Sequence, residues 1–167
     1  MTANFPVSVI IADDEASIRN GLRSAVESMN LNIHVLGTAR NGLEAWNLIQ
    51  TYMPDIVITD IRMPLCDGLD LMKKCKEARF HIDFVILSGF DDFTYAQSAI
   101  RYGARSYLLK PFKNEELKEE LKILLDEIRQ KRGLSSSSAA HSEETMTALS
   151  RKLFLMNSIM NTIWKHL

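Results

Sequence analysis

Three aspartates, a serine and a lysine hold most of the chemistry open to this sequence. Asp13 and Asp14 follow one short apolar run, Asp60 ends a second, Ser88 a third, and Lys110 a fourth. Carboxylates brought close together repel, and a hard divalent cation relieves that repulsion. Mg2+, or Mn2+, suits such a site, because it takes one or two carboxylates, keeps part of its water and also binds phosphate oxygens. A carboxylate can itself attack phosphorus and form an aspartyl-phosphate. Phosphoryl transfer is helped mainly by positioning and by neutralised charge. Lys110 would bring a positive point charge to one phosphoryl oxygen. The Ser88 hydroxyl can donate to another.

Each residue alone has a plainer reading. Asp14 could cap a helix, and Asp13 could be a solvated loop residue. Asp60 could serve a turn, Ser88 could be a turn hydroxyl, and Lys110 could be one of many surface lysines. Joint placement separates the two readings, and placement depends on the elements between these residues.

Those elements alternate. Val7–Ala12 is a β-branched apolar run of the kind that forms a buried strand. Asp14 then caps a helix with Ile18, Leu22, Ala25, Val26 and Met29 on its apolar side. A second strand runs from Ile33 to Thr38 and a helix from Leu43 to Thr51, with Ala45, Trp46, Leu48 and Ile49 near its buried side. Pro54 precedes a third strand, Asp55–Thr59, which ends at Asp60. The loop Met63-Pro-Leu-Cys-Asp-Gly68 carries turn signals, and Leu69–Lys76 follows as a helix. A fourth strand, Ile82–Leu87, closes at Ser88-Gly89, and a helix spans Asp92–Arg101 with Gly103 just beyond its end. Ser106–Leu109 is a fifth strand. Asn114 caps a long helix with Glu115 and Glu116 in its first turn and Leu117, Leu121, Leu124, Leu125 and Ile128 on its apolar face.

Strict strand–helix alternation predicts an α/β fold, a five-stranded parallel sheet with helices on both faces. Functional groups in such sheets gather at the carboxyl ends of the strands. Asp13, Asp14, Asp60, Ser88 and Lys110 all fall there, so one sheet edge receives the whole set.

The bulk properties agree with a soluble module and narrow its partners. A net charge of −1 over 167 residues gives no global attraction to nucleic acid or anionic membrane. Cys66 and Cys75 have no metal-ligand companions at close spacing and read as reduced thiols. The N-terminus lacks a basic targeting region, no apolar run approaches the roughly 18 residues of a membrane span, and a cytoplasmic location follows as the expectation.

Asp13-Asp14-Glu15, Thr59-Asp60-Ile-Arg-Met-Pro64 with Asp67-Gly68, Ser88-Gly89 and Lys110-Pro111-Phe112 resemble the receiver domains of two-component response regulators. The resemblance covers about residues 5 to 131, with a flavodoxin-like fold for the receiver at 1–131. It implies a switch that accepts a phosphoryl group on Asp60 from a sensor histidine kinase or a small phosphodonor, and not an enzyme that turns over substrate. It also implies Mg2+ held by Asp14, Asp60 and the backbone carbonyl of Arg62, with Asp13 acting through water. Ser88, Gly89 and Lys110 would contact the phosphoryl group, and Ser88 with Tyr107 would form the switch pair. Arg62 and Phe90 would tune the phosphate lifetime, and Lys110-Pro111 would be a cis peptide. Ser88 replaces the commoner threonine but keeps the hydroxyl. Ser88-Gly-Phe-Asp-Asp-Phe93 with Tyr95-Ala96 resembles, more narrowly, receivers attached to AraC-type transcription regulators. Any DNA contact would then be made by a region outside this chain.

The tail splits into a Ser-rich linker, 132–141, and an amphipathic helix, 142–167. Met146, Leu149, Leu153, Met156, Met160, Ile163 and Leu167 alternate steps of three and four. A helix of some 25 residues would be roughly 37 Å long. It pairs two chains into a homodimer, or it begins a larger domain; both readings stand. Rival functions are weaker. A phosphatase of the haloacid-dehalogenase type wants a second Asp two residues after the nucleophile, and Arg62 stands there. A pseudo-receiver that binds partners without phosphate would not need the complete set.

Overall fold

The computed structural model describes residues 5–89 and 93–133. Ten elements alternate along the chain: β1 (Val7–Ala12), α1 (Ala16–Ser28), β2 (Ile33–Ala39), α2 (Gly42–Tyr52), β3 (Ile56–Asp60), α3 (Gly68–Glu77), β4 (Asp83–Ser88), α4 (Phe93–Tyr102), β5 (Ser106–Leu109) and α5 (Asn114–Lys131). The strands form one sheet in the order β2-β1-β3-β4-β5. Every pairing is parallel, with Val9 beside Ile56, Ile56 beside Asp83 and Val85 beside Ser106. The order reverses at β1, so the crevice outside the carboxyl ends of β1 and β3 is where ligands bind in sheets of this kind.

Alternation along each strand feeds two cores. Val9, Ile11, Ile56, Ile58, Val85 and Leu87 point to the side covered by Leu22 and Val26 of α1 and by Leu117, Leu121, Leu124, Leu125 and Ile128 of α5. The intervening Ile10, Val57 and Ile86 are equally buried. On that other side α2 packs against β1 and β2, and α3 packs between α2 and α4. Side chains of Leu or Ile size contribute about 1.5–3 kcal/mol each when fully buried. That apolar burial holds a sheet whose upper edge carries mutually repelling charges.

Element ends agree with the apolar pattern to within a residue, but two caps do not. Glu15, not Asp14, is the N-cap residue of α1, and no side chain caps that helix. The carboxylate that reaches the loop is Asp13, whose Oδ1 accepts the Glu15 N–H at 2.9 Å, while Asp14 is exposed. Lys113 is the N-cap of α5, again with no side-chain cap. Its extended backbone starts the helix one residue early, so Asn114 lies inside the first turn. Elsewhere Asn41 and Asp67 cap α2 and α3 through their side chains. Gly103 follows α4 with φ +91°, a left-handed conformation that suits glycine. Beyond Gly133, the linker and the amphipathic helix expected over 142–167 lie outside the described residues, as does Phe90. No helix among the described residues is long and apolar enough to cross a membrane.

Candidate functional site

Four strand ends deliver the site. Asp13 follows β1 and is fully buried, Asp60 is the last residue of β3 and half-buried, Ser88 ends β4 and is buried, and Lys110 follows β5. One oxygen from each of Asp13, Asp14 and Asp60 can lie within 4.8 Å of the others. Lys110 enters from the far side of the sheet. Its Nζ donates to Asp13 Oδ2 at 2.9 Å and lies 3.2 Å from Asp60 Oδ2. The lysine backbone is tied to the neighbouring strand end by its N–H to the Ser88 carbonyl at 2.6 Å. The Lys110–Pro111 peptide is cis.

Asp60 is held on both oxygens. Oδ1 accepts the Ile61 N–H at 2.8 Å, and Oδ2 faces Lys110. Burial pushes its carboxyl above the usual range; the lysine charge pulls it back, and the charge of Asp13 pushes it up again. For Lys110 burial acts downward. The hydrogen bond and charge of Asp13 and the charge of Asp60 together outweigh it, so the ammonium titrates above its ordinary value. The lysine is therefore a firmly held cation that partly neutralises the acidic cluster.

The loop after Asp60 is pinned by two close backbone approaches. Gly68 donates its N–H to the Ile61 carbonyl at 2.8 Å. A Cβ at Gly68 would sit 2.4 Å from the Asp60 carbonyl oxygen, and one at Gly42 would sit 2.2 Å from that of Cys66. Only hydrogen fits at either position. Between them Leu65 is 81% exposed with φ +68°.

The remaining residues singled out in the sequence take definite places. Tyr107 is buried on β5, paired in register with Ile86, while Ser88 pairs with Leu109. Tyr107 and Ser88 therefore share one sheet face, two residues apart in register. The Ser88 hydroxyl lies 3.4 Å from the Gly89 carbonyl. The Arg62 guanidinium carbon lies 5.9 Å from the centre of the Tyr95 ring. No sequence motif marks Arg19, yet its Nη1 donates to the Asp13 carbonyl at 2.8 Å. An arginine one turn into the helix after an acidic pair is the only signal of it that the sequence carries.

Three hard oxygen donors at this separation, one buried, one half-buried and one exposed, fit a divalent cation that keeps part of its water. A doubly wound parallel sheet with this acidic cluster at its switch point, faced by a lysine from β5, is a receiver domain. The family model of the response regulator receiver domain matches residues 9–122, and the chain belongs to that family. The transcriptional regulatory protein YesN of Bacillus subtilis strain 168 is 39% identical over 121 residues, which cover 72% of this chain and 33% of that protein. The transcriptional regulatory protein HptR of Staphylococcus aureus strain NCTC 8325 is 35% identical over 141 residues, 84% of this chain and 55% of that one. Among solved structures, the REC domain of AraT, a response regulator from Geobacillus stearothermophilus, superposes with a TM-score of 0.69 at 36% identity, covering 75% of this chain and 98% of its own. The chain spans about a third to under two thirds of the length of the curated relatives it matches, from 33% to 63%.

Proposed function

We propose that this chain is the phospho-acceptor part of a two-component response regulator, and that Asp60 accepts the phosphoryl group. The observation that carries the reading is the meeting of Asp60 with Lys110 across the sheet edge, beside the buried Asp13. A carboxylate oxygen of Asp60 forms the new bond to phosphorus while the bond from phosphorus to the donor breaks, its electron pair leaving with the donor atom. Lys110 neutralises charge on the phosphoryl oxygens. Ser88 turns its hydroxyl to the group, Tyr107 packs behind it, and Gly89 lines the same rim. Asp13, Asp14 and Asp60, with the Arg62 carbonyl, would hold Mg2+ or Mn2+, which supplies further positive charge at the phosphoryl oxygens. Arg62 and Phe90 tune the lifetime of the product. The chain stores the group and does not turn over a substrate as an enzyme does.

The donor is a sensor histidine kinase, and the setting is the cytoplasm. Relatives named as transcriptional regulators support a transcriptional output, and the motif Ser88-Gly-Phe-Asp-Asp-Phe93 favours the AraC type, with DNA contacted by a region outside this chain; the 142–167 helix would pair two chains or begin a larger domain. Intact-mass measurement after incubation with acetyl phosphate and Mg2+ tests the central reading. One added phosphoryl group is expected on the wild type and none on Asp60→Ala. An unmodified wild type, or an equally modified variant, rejects it.

A further inference from the structure

The connection from β1 to α1 carries two of the three clustered carboxylates, and they are restrained very differently. Asp13 is fixed through its own side chain, by the Glu15 N–H on Oδ1 and by Lys110 on Oδ2. Asp14 is exposed, and among the described residues no hydrogen bond to its carboxylate is present. The part of its aim that the fold fixes is therefore the direction of its Cα–Cβ bond, which the backbone dihedrals set. With no side-chain cap on α1, the usual device for fixing a helix entry is missing as well.

Arg19 takes over that role. Its backbone N–H donates to the Glu15 carbonyl at 2.9 Å, which seats it in the first turns of α1. Its Nη1 donates to the Asp13 carbonyl at 2.8 Å and lies 3.4 Å from the Asp14 carbonyl. These two carbonyls belong to the peptide groups on either side of the Asp14 Cα. A nitrogen that contacts both restrains the rotation of one peptide plane against the other, the pair of angles that directs the Asp14 Cα–Cβ bond. Charge-assisted donors of this kind are the stronger hydrogen bonds.

We infer that Arg19 is a positioning residue for Asp14, one that orients this carboxylate toward the divalent cation through the two carbonyls flanking it. The inference rests on the metal-binding part of the proposed function. Two effects of removing Arg19 have opposite signs, and the sign decides between them. Loss of orientation weakens cation binding, by about tenfold if it matches the loss of other ligand-orienting partners. Loss of a nearby positive charge alone would tighten it.

Calorimetric titration of Mg2+ into the full chain tests this. R19M should bind Mg2+ about tenfold more weakly than the wild type, with far-UV circular dichroism unchanged. In an Asp14→Asn background the same replacement should change affinity little further, because the carboxylate being aimed is gone. Unchanged or tighter binding by R19M overturns the inference, and so does a loss that simply multiplies with that of Asp14→Asn. Should R19M not fold, R19Q is read against the same outcomes. A wild type that binds no Mg2+ overturns the metal-binding reading together with the inference, whereas normal wild-type binding with an unaltered variant overturns the role of Arg19 alone.

Discussion

Replacing Gly68 with alanine adds one methyl group, and the structure makes its cost specific. The new Cβ would lie 2.4 Å from the Asp60 carbonyl oxygen and 3.1 Å from the Ile61 Cα, against 3.4 Å or more for an ordinary contact. Both neighbours are backbone, so no side chain can swing away. The start of α3 must retreat by about 1 Å, the difference between those separations. Retreat stretches the Gly68 N–H bond to the Ile61 carbonyl. Staying put keeps the overlap. Overpacking costs about 1–3 kcal/mol, and a buried amide left without its acceptor costs about the same. We expect G68A to lose about 2–3 kcal/mol in urea denaturation.

Gly21 supplies the control. It lies inside α1, is exposed, and a Cβ added there would meet nothing within 4 Å. There alanine lowers the entropy of the unfolded chain at no steric cost, and G21A should gain about 0.5–1 kcal/mol. The same chemical change thus has opposite signs at two helical glycines. The backbone that the new methyl presses on is that of the proposed nucleophile, and a misplacement of about 1 Å there can cost about a hundredfold in rate. Labelling of G68A by acetyl phosphate should slow accordingly, while G21A labels at the wild-type rate. A loss below about 1 kcal/mol for G68A, or equal effects at both sites, would refute the steric reasoning.

Three further outcomes follow from the electrostatics and burial. Lys110→Met leaves Asp13 and Asp60 without their cation; Lys110 and Asp60 are partly solvated, so we expect a loss of about 2 kcal/mol in Mg2+-free buffer, with added Mg2+ raising the melting temperature of the variant more than that of the wild type. Asp60 titrates above its unfolded value, so its contribution to stability is complete below the unfolded pKa and is lost as pH rises through the folded one; Asp60→Asn should grow more stable relative to wild type across that interval in urea melts, and a constant or shrinking gap would contradict the shift. Burial pushes the Cys75 thiol up to about 12 and also raises that of Cys66, so neither should react with a thiol reagent at pH 8 until urea unfolds the chain, and rapid labelling of native protein would be the contrary result.

The sheet and the site edge can be read from the sequence because they rest on local signals. Short β-branched runs are unmistakable when both faces of a sheet are covered, and the rule that ligands meet the carboxyl ends of strands then brings Lys110 to Asp13 across 97 positions. Local helix-start signals do less well. An aspartate before a helix normally caps it, yet Asp14 is exposed and Asp13 reaches the Glu15 amide from a buried position. Both carboxylates look alike in sequence; Asp13 is buried and paired with Lys110 while Asp14 is exposed, and that difference in surroundings makes them different. Asn114 departs from its expected capping role for a nearer reason, since the extended backbone of Lys113 opens the helix one residue early.

Gly68 and Arg19 show where sequence patterns stop. Gly68 stands in a Pro- and Gly-containing loop, and a turn is sufficient reason for a glycine there. Its actual constraint is the approach of α3 to the Asp60 carbonyl, which exists only after β3 and α3 have packed. Arg19 sits on a helix among polar neighbours and looks like a solvated charge. Its value comes from two carbonyls that point the same way because the chain turns at Asp14. Both residues act on the backbone next to a carboxylate and not on the carboxylate itself. A cluster of like charges cannot hold its own geometry, since each member gains by moving away from the others. Something uncharged or oppositely charged has to grip the chain beside them. In this protein that grip comes from Gly68 behind Asp60 and from Arg19 behind Asp14, with Lys110 between the acids, so a search confined to acidic residues finds the site without finding what keeps it assembled.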